Sequence, residues 1–252
     1  MKVFVICVAF GNVDQVHASL NRFNKSALPV GPGIDLDKVV VNGHFPLNYK
    51  SNQALLPSIV EEAGFRLMDP GRDLGSAQSQ TWALKELGAA DGDYFLNLDP
   101  DSACDQPGWL DALVKVMESE KKIAILSLNT FWHWERIHRL GVLPVETRFI
   151  GQYRIQFPLA PDLFNLSLWR VGALNRLGGV LQGTAWWGNV ESHMIAGLKK
   201  LGYRTALLYN FMEATDLKLM QPAEFIDWKK AHGIDRSFDG SFGEYCKRLG
   251  RE

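Results

Sequence analysis

Asp99 and Asp101 close the segment Asp93-Tyr94-Phe95-Leu96-Asn97-Leu98-Asp99-Pro100-Asp101, in which a short apolar run stops at two carboxylates one residue apart. The run predicts a buried strand, which puts both acids at the rim of a sheet, able to point to the same side. Two carboxylates held together are costly unless a cation lies near them. Their oxygens suit Mg²⁺ or Mn²⁺, hard ions that bind through one or two carboxylates plus substrate phosphates. The pair therefore points to a metal-bound, phosphate-bearing substrate. The alternative is a strand-terminal turn with Pro100 at a turn position. Asp91 and Asp93 stand at the far end of the strand, where they solvate the preceding turn, and Asp105 reads as a loop or capping acid.

The elements that must hold this pair alternate between strand and helix. Residues 2–10 read as a buried first strand and Val13 to Phe23 as a helix with Val16, Leu20 and Phe23 on one face. A Pro/Gly-rich loop covers Ser26 to Gly33, and Lys38 to Val41 form a second strand stopped by Asn42-Gly43. Leu55 to Ala63 is a helix, Phe65 to Met68 a third strand, and Gly75 to Leu87 a helix reached through Asp73-Leu74. After the strand at 94–98, Gly108 to Ser119 has apolar residues at helical spacing and Ile123 to Leu128 reads as a buried strand. A strand and helix about every 30 residues argue for the α/β class, with a mostly parallel sheet covered on both faces. The second half is less regular. Thr147 to Ile150 and Tyr153 to Phe157 alternate as a hairpin turned by Gly151, Glu191 to Leu201 reads as a helix, and Tyr203 to Leu208 as a strand. From Asn210 onward the tail is polar. No repeat, low-complexity block or linker interrupts the chain, so residues 1–252 read as one domain.

Composition narrows the classes. A hydrophobic fraction of 46% with 22% charged residues is that of a soluble globular protein, and a net charge of −1 gives no overall pull toward nucleic acid or anionic membrane. Cys7, Cys104 and Cys246 are odd in number and widely spaced, which fits a reducing compartment and no zinc site. The apolar amino terminus is too short for a membrane span. A signal-peptide core is its competing reading, but no small-residue cleavage site follows and the β-branched content favours a strand. No other run approaches the roughly 18 apolar residues of a span. The expected location is cytoplasmic.

Asp73-Leu74-Gly75-Ser76-Ala77, followed by Ala90-Asp91-Gly92-Asp93-Tyr94 through Asp99-Pro100-Asp101, resembles the nucleotide-sugar half of GT-A glycosyltransferases. The similarity is to the family 2 type, in which an N-x-G-x-x-x-A segment precedes a G-D-Y…L-D-x-D strand. Asn165 to Arg170, Leu177-Gly178-Gly179, Trp186-Trp187-Gly188-Asn189-Val190-Glu191-Ser192 and Leu201-Gly202-Tyr203-Arg204 extend it to about residue 208, with a gap around 130–160. The resemblance implies a single GT-A domain, residues 1–128 binding the nucleotide sugar and 129–252 the acceptor with a carboxyl-terminal tail. It implies a metal-dependent glycosyltransferase taking a nucleoside-diphosphate sugar, a UDP-sugar in preference, with Mn²⁺ or Mg²⁺ as cofactor and an acceptor the sequence does not reveal.

Site residues follow from the same resemblance. Asp99 and Asp101 would hold the metal with His232, whose other reading is a helix-end cation or surface residue. Phe10, Gly11, Asn42, Asp73, Gly75 and Asp99 would face the donor, at the carboxyl ends of the strands where open α/β sheets bind ligands. Asn42 stands where the family often has an acid near base and ribose, and Asp73 could equally cap the following helix. An inverting transferase needs a carboxylate to deprotonate the acceptor hydroxyl. The family's E-D motif supplies it from aspartate, but here it reads Glu191-Ser192. Either Glu191 takes that role or the enzyme retains configuration. Trp186 and Trp187 could stack on an acceptor sugar, with Trp132 and Trp134 as a further wall, although a Trp pair is also ordinary core. Arg148, Arg154 and Arg170 are candidates for phosphate contacts, Arg170 alternatively anchoring the next helix. A nucleotidyltransferase of similar α/β fold is disfavoured by the absence of a G-x-G…R…K signature after the first strand. A non-catalytic nucleotide-sugar-binding module is the other alternative.

Overall fold

The apolar amino-terminal run forms strand β1 (Lys2–Ala9), with seven of eight residues buried, as a strand covered on both faces requires. The computed structural model describes residues 1–10, 12–44, 54–130, 146–157, 166–180, 190–214 and 217, apart from the side chains of 190–192. Strands β2 (Asp35–Asn42), β3 (Arg66–Met68), β4 (Tyr94–Leu98), β5 (Ile123–Asn129), β6 (Glu146–Ile150), β7 (Tyr153–Phe157), β8 (Leu166–Arg170) and β9 (Arg204–Met212) join β1 in one sheet. Its order is β3-β2-β1-β4-β8-β5-β9-β7-β6. The described helices are α1 (Val13–Ala27), α2 (Leu56–Glu62), α3 (Gly75–Glu86), α4 (Trp109–Ser119), α5 (Val171–Leu177) and α6 (Val190–Lys200).

The sheet is mixed, which corrects the mostly parallel expectation. β1 pairs parallel with β2 and β4, β2 with β3, and β5 with β9. The other four pairings are antiparallel. Two strands cause this. β8 inserts between β4 and β5 against their direction, and β7 is turned back from β6 at Gly151, whose φ of 57° fits a residue without Cβ. Because β8 belongs to the later part of the chain, the two halves of the sequence interleave in one sheet.

Alternation along each strand divides the core into two layers. Val3, Val5 and Cys7 face α1, α2 and α4, while Phe4, Ile6 and Val8 face α3, α5 and α6. Each fully buried large apolar side chain contributes about 1.5–3 kcal/mol, so both faces are needed. Asn12 caps α1, its side chain accepting from Gln15 N at 3.3 Å. The helix runs past the expected Phe23 to Ala27 because Ser26 and Ala27 are themselves buried, and Ser26 Oγ accepts the indole N–H of buried Trp109 at 3.0 Å. Among the described residues no helix is long and apolar enough to cross a membrane.

Candidate functional site

β1, β2, β3 and β4 are parallel, so their carboxyl ends share one rim. β4 is entirely buried until Leu98, and the chain then turns: Ser102 N donates to Asp99 O at 2.9 Å with Pro100 at the second turn position. Asp99-Pro100-Asp101 is thus a turn, and the turn is also what holds both acids half-buried at the rim. Asn97 Nδ2 donates to Asp99 Oδ1 at 3.2 Å and receives Gln80 Nε2 on its own Oδ1 at 2.8 Å, a buried relay that fixes the first carboxylate.

The charges of both acids act on Cys7, buried in β1. Burial pushes the Cys7 thiol well above its ordinary range, and the negative fields of Asp99 and Asp101 push it further the same way. One turn holds both carboxylates two residues apart, a concentration of charge that a divalent cation would relieve. Among the described residues no group of three metal-ligating side chains converges. The donor set fits an ion that takes its remaining oxygens from phosphates and water.

Glu213, just past β9, is a residue the sequence reading assigned to a polar tail. It is 3% exposed, and Ser102 Oγ donates to its Oε1 at 3.2 Å. Glu213 N donates to Asn129 O at 2.8 Å and Ala214 N to Ala103 O at 2.7 Å, stitching the end of β9 to β5 and to the aspartate turn. Ser19 Oγ donates to Ser102 O at 2.8 Å from the α1 side. The available signal was a carboxylate directly after an apolar strand end, Phe211-Met212-Glu213, the same pattern as Leu98-Asp99.

At the neighbouring strand ends Asn42 is engaged locally. Its amide donates to Asp69 Oδ2 at 3.1 Å and its Oδ1 accepts His44 N at 3.1 Å. Asp69 also accepts Gly71 N at 2.6 Å and contacts His44 Nε2. Burial raises the Asp69 carboxyl, but the hydrogen bonds from Gly71, His44 and Asn42 outweigh it and hold the group below the usual carboxylate range. Asp69, just past β3, thus puts a carboxylate beside Asn42. Asp73 Oδ1 accepts Gly75 N at 2.8 Å in the turn that leads into α3, but the N-cap position of that helix is Leu74 and not Asp73, and Gly75 takes a φ of 71°. Phe10 is buried beyond β1.

Arg170 is an anchoring residue, but it ties β8 to the elements beside it rather than to the helix that follows. It donates to Tyr94 Oη at 2.9 Å and Met117 O at 2.7 Å, at the amino end of β4 and away from the aspartates. Arg148 pairs with Glu146 and Glu120 on the edge hairpin, while the Arg154 guanidinium stacks on Tyr209 at 4.3 Å. Asp105 is bound by Arg22, which holds its carboxyl below the usual range. His193 is exposed on α6. Glu191 lies in the first turn of α6, its side chain outside the described residues. Gly11, Trp132, Trp134, Trp186, Trp187 and His232 also lie outside them.

No protein-family model matches the sequence, and no curated protein is significantly similar to it. Solved structures do match. The mannosyltransferase PcManGT from Pyrobaculum calidifontis, in complex with GDP-Man and Mn²⁺, superposes with a TM-score of 0.60 at 17% identity over 90% of this chain. GalNAc-T7 with UDP, GalNAc and Mn²⁺ gives 0.59 at 10% identity over 84%, and TarS from S. aureus 0.52 at 14% over 100%. The chain spans 59% of the length of the first and 43% of each of the others. The chain has the GT-A glycosyltransferase fold.

Proposed function

We propose that the chain is a metal-dependent glycosyltransferase that moves a sugar from a nucleoside-diphosphate donor, a UDP-sugar in preference, to an acceptor hydroxyl. The observation that carries this is the Asp99-Pro100-Asp101 turn at the carboxyl end of β4 in a GT-A fold, which holds two half-buried carboxylates at the rim of the sheet. Asp99 and Asp101 would hold Mn²⁺ or Mg²⁺ with His232, and the ion supplies Lewis-acid neutralisation of the departing diphosphate. The β1, β2 and β3 ends offer Phe10, Gly11, Asn42, Asp73 and Gly75 to the nucleotide, with Asp69, hydrogen-bonded to Asn42, as the acid for the ribose. Glu191 is the base for the acceptor hydroxyl, and Trp186 and Trp187 stack on the acceptor. Residues 1–252 act as one domain, the first 128 serving the donor. The free, buried thiols of Cys7 and Cys104 suit a reducing, cytoplasmic setting.

Ser192, standing where the family has aspartate, favours a second reading, a binding module without turnover. Incubation with Mn²⁺ and a panel of UDP-, GDP-, CMP- and dTDP-linked sugars separates them. Slow release of free sugar from at least one donor is expected, and binding without any release would establish the module.

A further inference from the structure

On the sheet face that carries Phe4, Ile6 and Phe95, the side chains change from apolar to polar toward the carboxyl ends of the central strands. Asn97 in β4, Ser167 in β8 and Ser127 in β5 are consecutive cross-strand neighbours. Leu207 of β9 follows Ser127 in the same row, then Gln156 of β7. The polar members are all at most 6% exposed. Asn129 stands two residues beyond Ser127. Leu126 and Leu128 belong to the opposite core, so by alternation Asn129 shares the polar face of Ser127.

Asn129 differs from the rest of the row. Asn97 is bonded to Gln80 and Asp99, and Ser167 Oγ accepts the indole of Trp169 at 2.6 Å. Asn129 is 0% exposed, yet neither its Nδ2 nor its Oδ1 has a hydrogen-bond partner. A buried amide with both ends unpaired weakens the fold unless something supplies the missing bonds. Its position indicates what that is. Only β8 separates β5 from β4, so Asn129 lies about 10 Å, two strand spacings, from the line of the aspartate strand. Its carbonyl is bonded to Glu213 N, and Glu213 to Ser102 in the aspartate turn. A carboxamide offers an acceptor oxygen and an NH₂ donor side by side, the complement of two adjacent ring hydroxyls.

We propose that Asn129 binds hydroxyls of the transferred sugar and so sets donor-sugar selectivity. The inference rests on the glycosyltransferase reading and adds to it a residue on the sugar side of the diphosphate. Because the side chain is fully covered here, the sugar-bound state must uncover it, whereas bare nucleotide need not reach it.

The test is calorimetric titration in Mn²⁺ of UDP, UDP-glucose, UDP-N-acetylglucosamine, GDP and GDP-mannose into the unmodified chain, Asn129→Leu and Asn129→Ala. Both variants should bind UDP and GDP within about twofold of the unmodified chain and lose about tenfold for the sugar-linked form it prefers, as expected for two neutral hydrogen bonds. Asn129→Leu, which removes the unpaired amide at similar volume, should also melt about 2–4 °C higher. Equal changes for bare and sugar-linked nucleotide, no change in either, or a lower melting point for the leucine variant would overturn the assignment while leaving the glycosyltransferase reading in place. So would an effect confined to the acceptor KM. Failure of the unmodified chain to bind any of the five would overturn both.

Discussion

At Asp99 and Asp101 backbone geometry and charge serve the same end. The hydrogen bond closing the turn fixes where the second carboxylate emerges, and Asn97 fixes the first. Behind them Ser102, Glu213 and Ser19 tie the turn to β9 and α1, the kind of support that keeps ligating oxygens in place before an ion arrives. Ser102→Ala removes the Oγ contacts to Glu213 at 3.2 Å and to Asp101 Oδ1 at 3.5 Å while leaving both carboxylates in the chain. It should weaken Mn²⁺ binding about tenfold in a titration followed by electron paramagnetic resonance. Unchanged affinity would show that the Ser102 hydroxyl does not position the turn. Cys104, three residues beyond Asp101, gives a pH signature. Burial, with smaller contributions from Asp105 and Glu213, pushes its thiol up to about 12 against the opposing effects of Gln106 and Arg22. A group whose folded value is raised gives its full stabilisation below its unfolded value and loses it as pH rises toward the folded one. Melting temperature should therefore fall from about pH 8.5 upward, and Cys104→Ala should flatten that slope, whatever it does to the absolute melting point. An unchanged slope would contradict the burial of the thiol.

At the scale of elements, β1, β4 and β5 were readable because each is a dense apolar run, the mark of a strand covered on both faces, whereas of β2 only the end with buried Val39-Val40-Val41 was readable and its polar start at Asp35 was not. The hairpin was readable from its alternation about Gly151. The direction of β8 was not, since Leu166 to Arg170 is too short to carry a period and nothing in a strand's composition encodes its sense. Two site features were hidden for related reasons. Glu213 lies in a stretch whose scattered polarity resembled a tail until β9 was seen to run to Met212, and the loss of partners at Asn129 is a tertiary property. Asn42 was recognisable as a departure, whereas the carboxylate of Asp69 beside it depends on strand order. Arg170 binds β8 to β4, α4 and β5 at the end of the sheet remote from the aspartates. Arg170→Met should cost about 2–3 kcal/mol in chemical denaturation through loss of charge-assisted hydrogen bonds, with nucleotide binding in Mn²⁺ retained. Loss of binding in a folded variant would return Arg170 to the phosphate site.

Over the whole molecule, a GT-A fold is kept at 10–17% identity to the three structures described, so the likeness lies in the fold and not in the sequence. The net charge of −1 supplies no long-range attraction to a charged donor, which leaves capture to the local site. The account stands on one claim, that the carboxylates after β4 grip a cation that neutralises a nucleotide diphosphate. Its most direct test is the melting temperature of the unmodified chain and of Asp101→Ala with UDP and GDP, in Mn²⁺ and in excess chelator. With nucleotide at about a hundredfold its Kd, the unmodified chain should rise by about 5–10 °C in Mn²⁺ only, and Asp101→Ala should not respond. A nucleotide shift that survives chelation, or that Asp101→Ala retains in full, would contradict the claim.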